Sequence, residues 1–122
     1  MNFSESEIEI AKKLHDLDLQ WQPQAGDYVY DMKGIIEKPS PFQDHVYFIL
    51  DIKHFIRRAQ NVEGIKKAMC WLPLWEDCRE ILVKLGVKWE DIFQRLQETS
   101  AFERESERTE MYRIILSRLR AF

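Results

Sequence analysis

The spacing of the apolar residues changes twice along this chain, and this change constrains the fold more than any other feature. Apolar residues recur every three or four positions near the N-terminus, alternate or run together between residues 28 and 50, and return to helical spacing after residue 73. The first and last patterns are typical of amphipathic helices, and the middle one is typical of short strands. We therefore predict an α+β fold: a small antiparallel sheet of two or three strands packed against helices, with additional C-terminal helices.

Two of the predicted helices have clear ends, at residues 5–17 and 73–85. Ser4 and Glu7 have the spacing of a capping box, in which each side chain accepts a hydrogen bond from the other residue's backbone amide. Pro73 suits the first position of the second helix, because its fixed φ is already helical. We expect the sheet to pack against these two helices.

The strands are predicted between these helices. Residues 28–32 alternate large apolar side chains with others, and residues 45–50, HVYFIL, form a short β-branched and aromatic run. The segment IKKAMCWL at residues 65–72 favours a third strand, because Pro73 prevents a regular element from continuing through it. A helix over part of this segment is the alternative.

Two further helix boundaries follow from short polar residues. Asp51 is typical of the residue that caps the start of a helix, and Asn61 and Gly64 suit the end of that short helix. Ser100 and Glu103 repeat the capping-box spacing and predict a helix start near the C-terminus.

The chain length fits one domain of ordinary size. We predict that residues 1–96 form the α+β core and that residues 97–122 form a helical extension of the same domain. The charged run ERESERTE in this extension indicates a projecting helical segment or a mobile link. An apolar stripe follows it, and we predict a protein partner or self-association through Met111, Ile115 and Leu119.

Charge and hydropathy exclude several classes of protein. The chain has 18 Lys and Arg against 21 Asp and Glu, a net charge of −3, which gives no general attraction to nucleic acid or to an anionic membrane. No apolar run approaches the length of a membrane-spanning helix, and the N-terminus lacks a signal-peptide pattern. Cys70 and Cys78 form no disulfide framework. We expect a cytoplasmic protein with reduced thiols and no membrane contact.

Tryptophan is abundant for a chain of this size. Trp71 precedes the helix predicted at 73–85, Trp75 lies at the edge of its apolar stripe, and Trp21 lies beside a turn. Such side chains either close a core or anchor a partner protein, because tryptophan is enriched at the energetic centres of interfaces. The leading functional hypothesis is a non-catalytic binding or accessory protein that acts through protein–protein contacts, with Trp21, Trp71 and Trp75 as candidate binding residues.

A local excess of positive charge supports a second hypothesis. Residues 53–67 include Lys53, Arg57 and Arg58 and contain a single acidic residue. Such a cluster can bind an anion or nucleic acid, although a solvated face that pairs with the acidic N-terminal helix is the simpler interpretation. Nucleic acid is therefore a possible partner that the sequence does not favour.

The third hypothesis is a small enzyme whose site is assembled only in the fold. Asp51, His54 and His45 are its first candidate residues. Against it, the sequence has no nucleophile elbow, P-loop or dinucleotide-binding motif, and Asp51 is better explained as a helix cap. We predict no catalytic residues, no metal site and no cofactor.

Two short motifs carry a resemblance to a family. WQPQAGD at residues 21–27, followed by WLP at residues 71–73 ahead of an amphipathic helix, resembles a family of small bacterial and phage-associated proteins that has no assigned function. The resemblance spans roughly residues 14–85. It implies a bacterial or phage origin and a cytoplasmic location, and it supplies no catalytic residues.

Overall fold

The computed structural model describes residues 2–121, and its α+β architecture confirms the predicted fold class. In chain order the elements are α1 (Glu5–Asp16), β1 (Tyr28–Asp31), β2 (Val46–Phe48), α2 (Ile52–Ala59), α3 (Val62–Ala68), β3 (Met69–Leu72), α4 (Trp75–Lys84), α5 (Trp89–Glu98) and α6 (Glu107–Arg120). The chain divides into two compact units, one formed by residues 2–3 and 20–72 and the other by residues 4–19 and 73–121.

The first unit contains the sheet, in which β1 lies between β2 and β3 and pairs antiparallel with both. Val29 is opposite Tyr47 on one neighbour and opposite Trp71 on the other. The core of this unit joins the sheet to α2 and α3 through buried apolar side chains, namely Val29, Ile49, Phe55, Ile65, Ala68 and Met69. Within this unit, α2 and α3 therefore pack on the sheet, a role that the sequence did not assign to either helix.

The segment at 65–72, predicted as a third strand with a helix as the alternative, contains parts of both. Helix α3 ends at Ala68 and strand β3 begins at Met69. The expectation that Asn61 and Gly64 end α2 is wrong. Asn61 caps the start of α3, since its Oδ1 accepts a hydrogen bond from the Gly64 amide at 2.7 Å. Asp51 caps α2 as predicted, accepting from the Lys53 amide at 3.0 Å.

The second unit is helical, and α6 packs against α1, α4 and α5 within it. Met111 and Ile115 are 0% exposed, and Leu119 is half-buried. The chain after residue 96 is thus part of the core of this unit, so the predicted boundary at 96/97 falls inside it. Met111 and Ile115 are thus buried within this unit, and the protein partner or self-association predicted through Met111, Ile115 and Leu119 stays a prediction.

The helix starts of the second unit agree with the sequence in one case and differ in two. The capping box of α1 is present: the Glu7 amide donates to Ser4 Oγ at 3.1 Å, and the Ser4 amide donates to Glu7 Oε1 at 2.9 Å. α4 begins at Trp75, two residues after Pro73, where Asp77 accepts from the Leu74 amide at 2.9 Å. The prediction of a helix start at Ser100 is wrong, because its φ is +56° and α6 begins at Glu107.

A buried ion pair joins α1 to α6. The carboxylate of Glu7, 4% exposed, accepts hydrogen bonds from Nη2 of Arg108 at 3.2 Å and from Nε of the same guanidinium. Burial alone would lower the pKa of Arg108, but the hydrogen bond and the negative charge of Glu7 outweigh it and raise that pKa. The guanidinium therefore stays charged at every pH at which the protein folds.

Across residues 2–121, none of the helices combines the length and the apolar character that a membrane crossing requires.

Candidate functional site

A continuous row of aromatic rings lies on the surface of the second unit. It consists of Trp75, Trp89, Phe93 and Phe102, with ring centroids 5.8, 6.3 and 5.5 Å apart in that order. Trp89 is 40% exposed, Phe93 41% and Phe102 43%. We call these four side chains the aromatic row. Single exposed apolar residues are ordinary, but a contiguous group of large ones marks a surface suited to binding.

Local structure holds the aromatic row in place. Trp89 and Phe93 are four residues apart on α5, so they project from the same face of the helix. Arg79 of α4 lies over the Trp89 ring at 5.3 Å, a cation–π contact that restrains the indole. Phe102 follows Ala101, which is 0% exposed and anchors the turn after α5. The rings are therefore presented by ordered elements, which lowers the entropy lost on binding.

The three tryptophans predicted as binding residues take two different roles. Trp21 and Trp71 stack on each other in the first unit, with ring centroids 5.7 Å apart and ring planes only 6° apart. Both are half-buried, and Trp21 packs against the core of that unit. Trp71 Nε1 is buried and has no hydrogen-bond partner within the described chain. These two indoles support the core interpretation, whereas Trp75 in the second unit belongs to the aromatic row.

The predicted basic segment is exposed but loosely organised. Lys53, Arg57 and Arg58 are exposed on α2. Arg58 lies 4.0 Å from Glu37, whose side chain is 84% exposed, so the pairing is largely screened by water. Anion binding at residues 53–67 stays a prediction.

The candidate catalytic residues make separate local contacts. Asp51 is engaged as the cap of α2, His54 packs edge-on against Phe55 at 5.9 Å, and His45 lies 5.7 Å from the Tyr30 ring. Asp51 and His54 share a backbone hydrogen bond of the first turn of α2, in which the His54 amide donates to the Asp51 carbonyl at 3.2 Å. That bond leaves their side chains unconnected. No group of three or more His, Cys, Asp or Glu side chains among residues 2–121 could hold a metal ion.

A second surface feature, a cleft beside α5 and α6, was not predicted. The cleft has a volume of about 350 Å³ and is lined by Arg95, Arg113, Arg118, Ser117 and Asp91 together with the apolar side chains of Val87, Ile92, Ile114 and Ala121. We call it the arginine cleft. Behind it, Glu110 is 2% exposed and lies 4.0 Å from Arg95, 3.7 Å from Arg104 and in a close ion pair with Arg113.

This cleft was not predicted because the charged run ERESERTE, whose last residue lies behind it, was interpreted as a projecting helical segment or a mobile link. The run ends in Glu110, which α6 turns into the protein, while its arginine partners lie 3, 6 and 15 residues away along the chain. Only the separation of Glu110 and Arg113 is a recognisable helical pairing. The aromatic row was missed for a similar reason, since Phe102 joins it through a turn that has no periodic pattern.

The two cysteines give a direct test of the buried interior. Both are 0% exposed, and neither forms a disulfide. Burial raises the pKa of the Cys78 thiol, and the neighbouring charge of Asp77 raises it further. Because only the thiolate is reactive, we expect native protein at pH 8 to resist an aromatic disulfide reagent and denatured protein to titrate two thiols. Rapid labelling of Cys78 in the native protein would contradict the buried position of this side chain.

No protein-family model, curated protein or solved structure matches this chain. The resemblance carried by residues 21–27 and 71–73 stays a prediction.

Proposed function

We propose that this chain is a non-catalytic binding protein that docks an apolar segment of another protein on its aromatic row. The observation that carries the proposal is the exposure of Trp89, Phe93 and Phe102, each at 40% or more, in one contiguous and ordered row. Aromatic anchors of this kind supply most of the binding energy at protein interfaces. A cytoplasmic location and a bacterial or phage origin are parts of the proposal that rest on the sequence alone.

The size of the row favours another protein's segment over a second copy of this chain. A stable dimer usually buries about 800 Å² on each partner, far more than a few half-exposed rings supply. A short amphipathic segment instead needs only a row of pockets that accept side chains at helical or alternating spacing. The rings of the row follow one another at 5.5–6.3 Å, close to the separation of side chains three or four residues apart on a helix.

The proposal can be tested by first identifying the partner protein and then measuring its affinity. A photo-crosslinking residue placed at exposed Gln94, beside Phe93 on α5, would capture the partner and identify it by mass spectrometry. The affinity of the purified partner would then be measured by calorimetry. We expect the double substitution Trp89→Ser with Phe93→Ser to weaken binding by roughly 100-fold or more, because anchor side chains contribute about 2 kcal/mol each or more.

The matched control is Val83→Ser, which removes an exposed apolar side chain of α4 that lies outside the row and is 63% exposed. It should leave the affinity unchanged. Equal affinity of the double variant and the unaltered protein, or equal losses in the double variant and the control, would overturn the proposal. Concentration-dependent dimerisation that the double variant abolishes would identify a second copy as the occupant instead.

A further inference from the structure

We propose that the arginine cleft binds the phosphate group of a small molecule. This inference is independent of protein binding at the aromatic row. It rests on the charge, the preorganisation and the walls of the cleft, all of which lie within the second unit.

The cleft and the residues behind it carry an excess of positive charge. Three guanidinium groups line the cleft, those of Arg95, Arg113 and Arg118, together with the carboxylate of Asp91, and Glu110 lies behind it. Three positive groups against the two carboxylates leave an excess of one positive charge. A phosphate monoester carries about −1.5 to −2 charges near neutral pH and three acceptor oxygens, so it can bind more than one of these guanidinium groups at once.

Glu110 holds the arginines in position before any ligand arrives. Its side chain is 3% exposed and forms a close, hydrogen-bonded ion pair with Arg113 that fixes one edge of this guanidinium, while Arg95 lies 4.0 Å from the same carboxylate. A guanidinium has five N–H donors in a planar fork, so a carboxylate on one side leaves other donors for a ligand. Arg118 is held separately, since its Nε donates to the Leu85 carbonyl at 3.3 Å.

The shape and lining of the cleft suit an organic phosphate. A volume of about 350 Å³ lies in the range of small-molecule sites and exceeds what one phosphate ion requires. Val87, Ile92 and Ile114 provide an apolar wall, and Ser117 adds a hydroxyl donor one residue before Arg118. Such a site can take a phosphate on its arginines and an organic group on its apolar wall.

The experiment is a titration of the full chain with inorganic phosphate and with phenyl phosphate, followed by calorimetry in a low-salt chloride buffer. We expect saturable one-to-one binding that Arg118→Gln weakens about tenfold, the effect of losing one charge-assisted contact. Arg118 is exposed, so this variant should fold normally. Arg113→Gln should weaken binding at least as much, with thermal unfolding used to verify its fold.

Two controls distinguish this cleft from other basic groups. Arg120→Gln changes an exposed arginine of the same helix that does not line the cleft, and Arg57→Gln changes the predicted basic segment of the first unit. Both should retain full affinity. The Trp89→Ser and Phe93→Ser double variant should also bind phosphate normally, so failure of one proposal is distinguishable from failure of the other.

The two phosphate probes also identify the ligand class. Tighter binding of phenyl phosphate indicates an organic phosphate, and equal affinities indicate inorganic phosphate. The absence of saturable binding at millimolar concentrations would overturn the inference. So would a loss of binding in Arg57→Gln that equals the loss in Arg118→Gln, or binding of single-stranded oligonucleotide without binding of either phosphate probe.

Discussion

Replacing Glu7 by glutamine is expected to lower the free energy of unfolding by about 3 kcal/mol, the lower end of the range for breaking a buried ion pair from one side. The substitution leaves the Arg108 guanidinium, whose side chain is 21% exposed, without its bidentate carboxylate partner. It also weakens the capping box of α1, since Glu7 accepts the hydrogen bond of the Ser4 amide. Equilibrium denaturation in urea, followed by helical circular dichroism, measures the change.

Glu9→Gln is the matched control for this substitution. Glu9 lies on the same helix, its side chain is 64% exposed, and its ion pair with Lys12 spans 3.4 Å at the surface. An exposed pair of this kind contributes little, so the control should change stability by less than about 0.5 kcal/mol. The double variant Glu7→Gln with Arg108→Gln should recover part of the loss, because it removes the uncompensated charge. Similar losses in Glu7→Gln and Glu9→Gln would show that the ion pair between α1 and α6 is not a main source of stability.

Replacing Gly64 by alanine is expected to destabilise the first unit by about 3 kcal/mol or more, beyond the usual range for overpacking. A Cβ on Gly64 would lie 1.9 Å from the carbonyl oxygen of Ala59 and 3.0 Å from its carbonyl carbon. Both atoms belong to the backbone, so no side-chain rotation relieves the clash. The turn between α2 and α3 would have to open, and the Asn61 cap that accepts the Gly64 amide would be displaced.

Gly34→Ala separates this steric effect from the ordinary effect of losing a glycine. Gly34 has φ +65°, and a Cβ added there would have no heavy atom within 4 Å, so an alanine meets only backbone strain of about 1 kcal/mol. Thermal unfolding of both variants gives the comparison. If Gly64→Ala is no less stable than Gly34→Ala, then the end of α2 does not approach Gly64 as closely as these distances require.

Patterns formed by residues that are close together in sequence predicted much of the fold. The capping box of α1 and the cap of α2 depend on residues two to four positions apart, and both are present. The alternation at residues 28–32 predicted the strand β1, but the structure buries Val29 and Asp31 rather than the larger apolar side chains that alternate with them. The predictions failed where one residue type can take either of two structural roles. Gly64 was expected to end a helix, whereas it permits close packing inside one.

The candidate sites were harder to predict because they depend on distant residues. Trp75 belongs to the aromatic row through Trp89, and Glu110 is buried because arginines of α5, α6 and the turn between them surround it. A single sequence gives the residue types but does not show which distant residues come into contact. The sequence singled out Trp21, Trp71 and Trp75 together, and only the structure distinguishes the stacked pair of the first unit from the aromatic row of the second.

The helical unit is assembled from two separated stretches of the chain, and this determines when it can form. Glu7 and Arg108 are 101 residues apart in sequence. During synthesis, α1 is made before α6 and cannot pack against it until α6 has left the ribosome. The segment from residue 20 to residue 72 is contiguous and emerges in between. The apolar face of α1 therefore stays exposed until α6 has been made, and transiently exposed apolar surface of this kind is what chaperones protect.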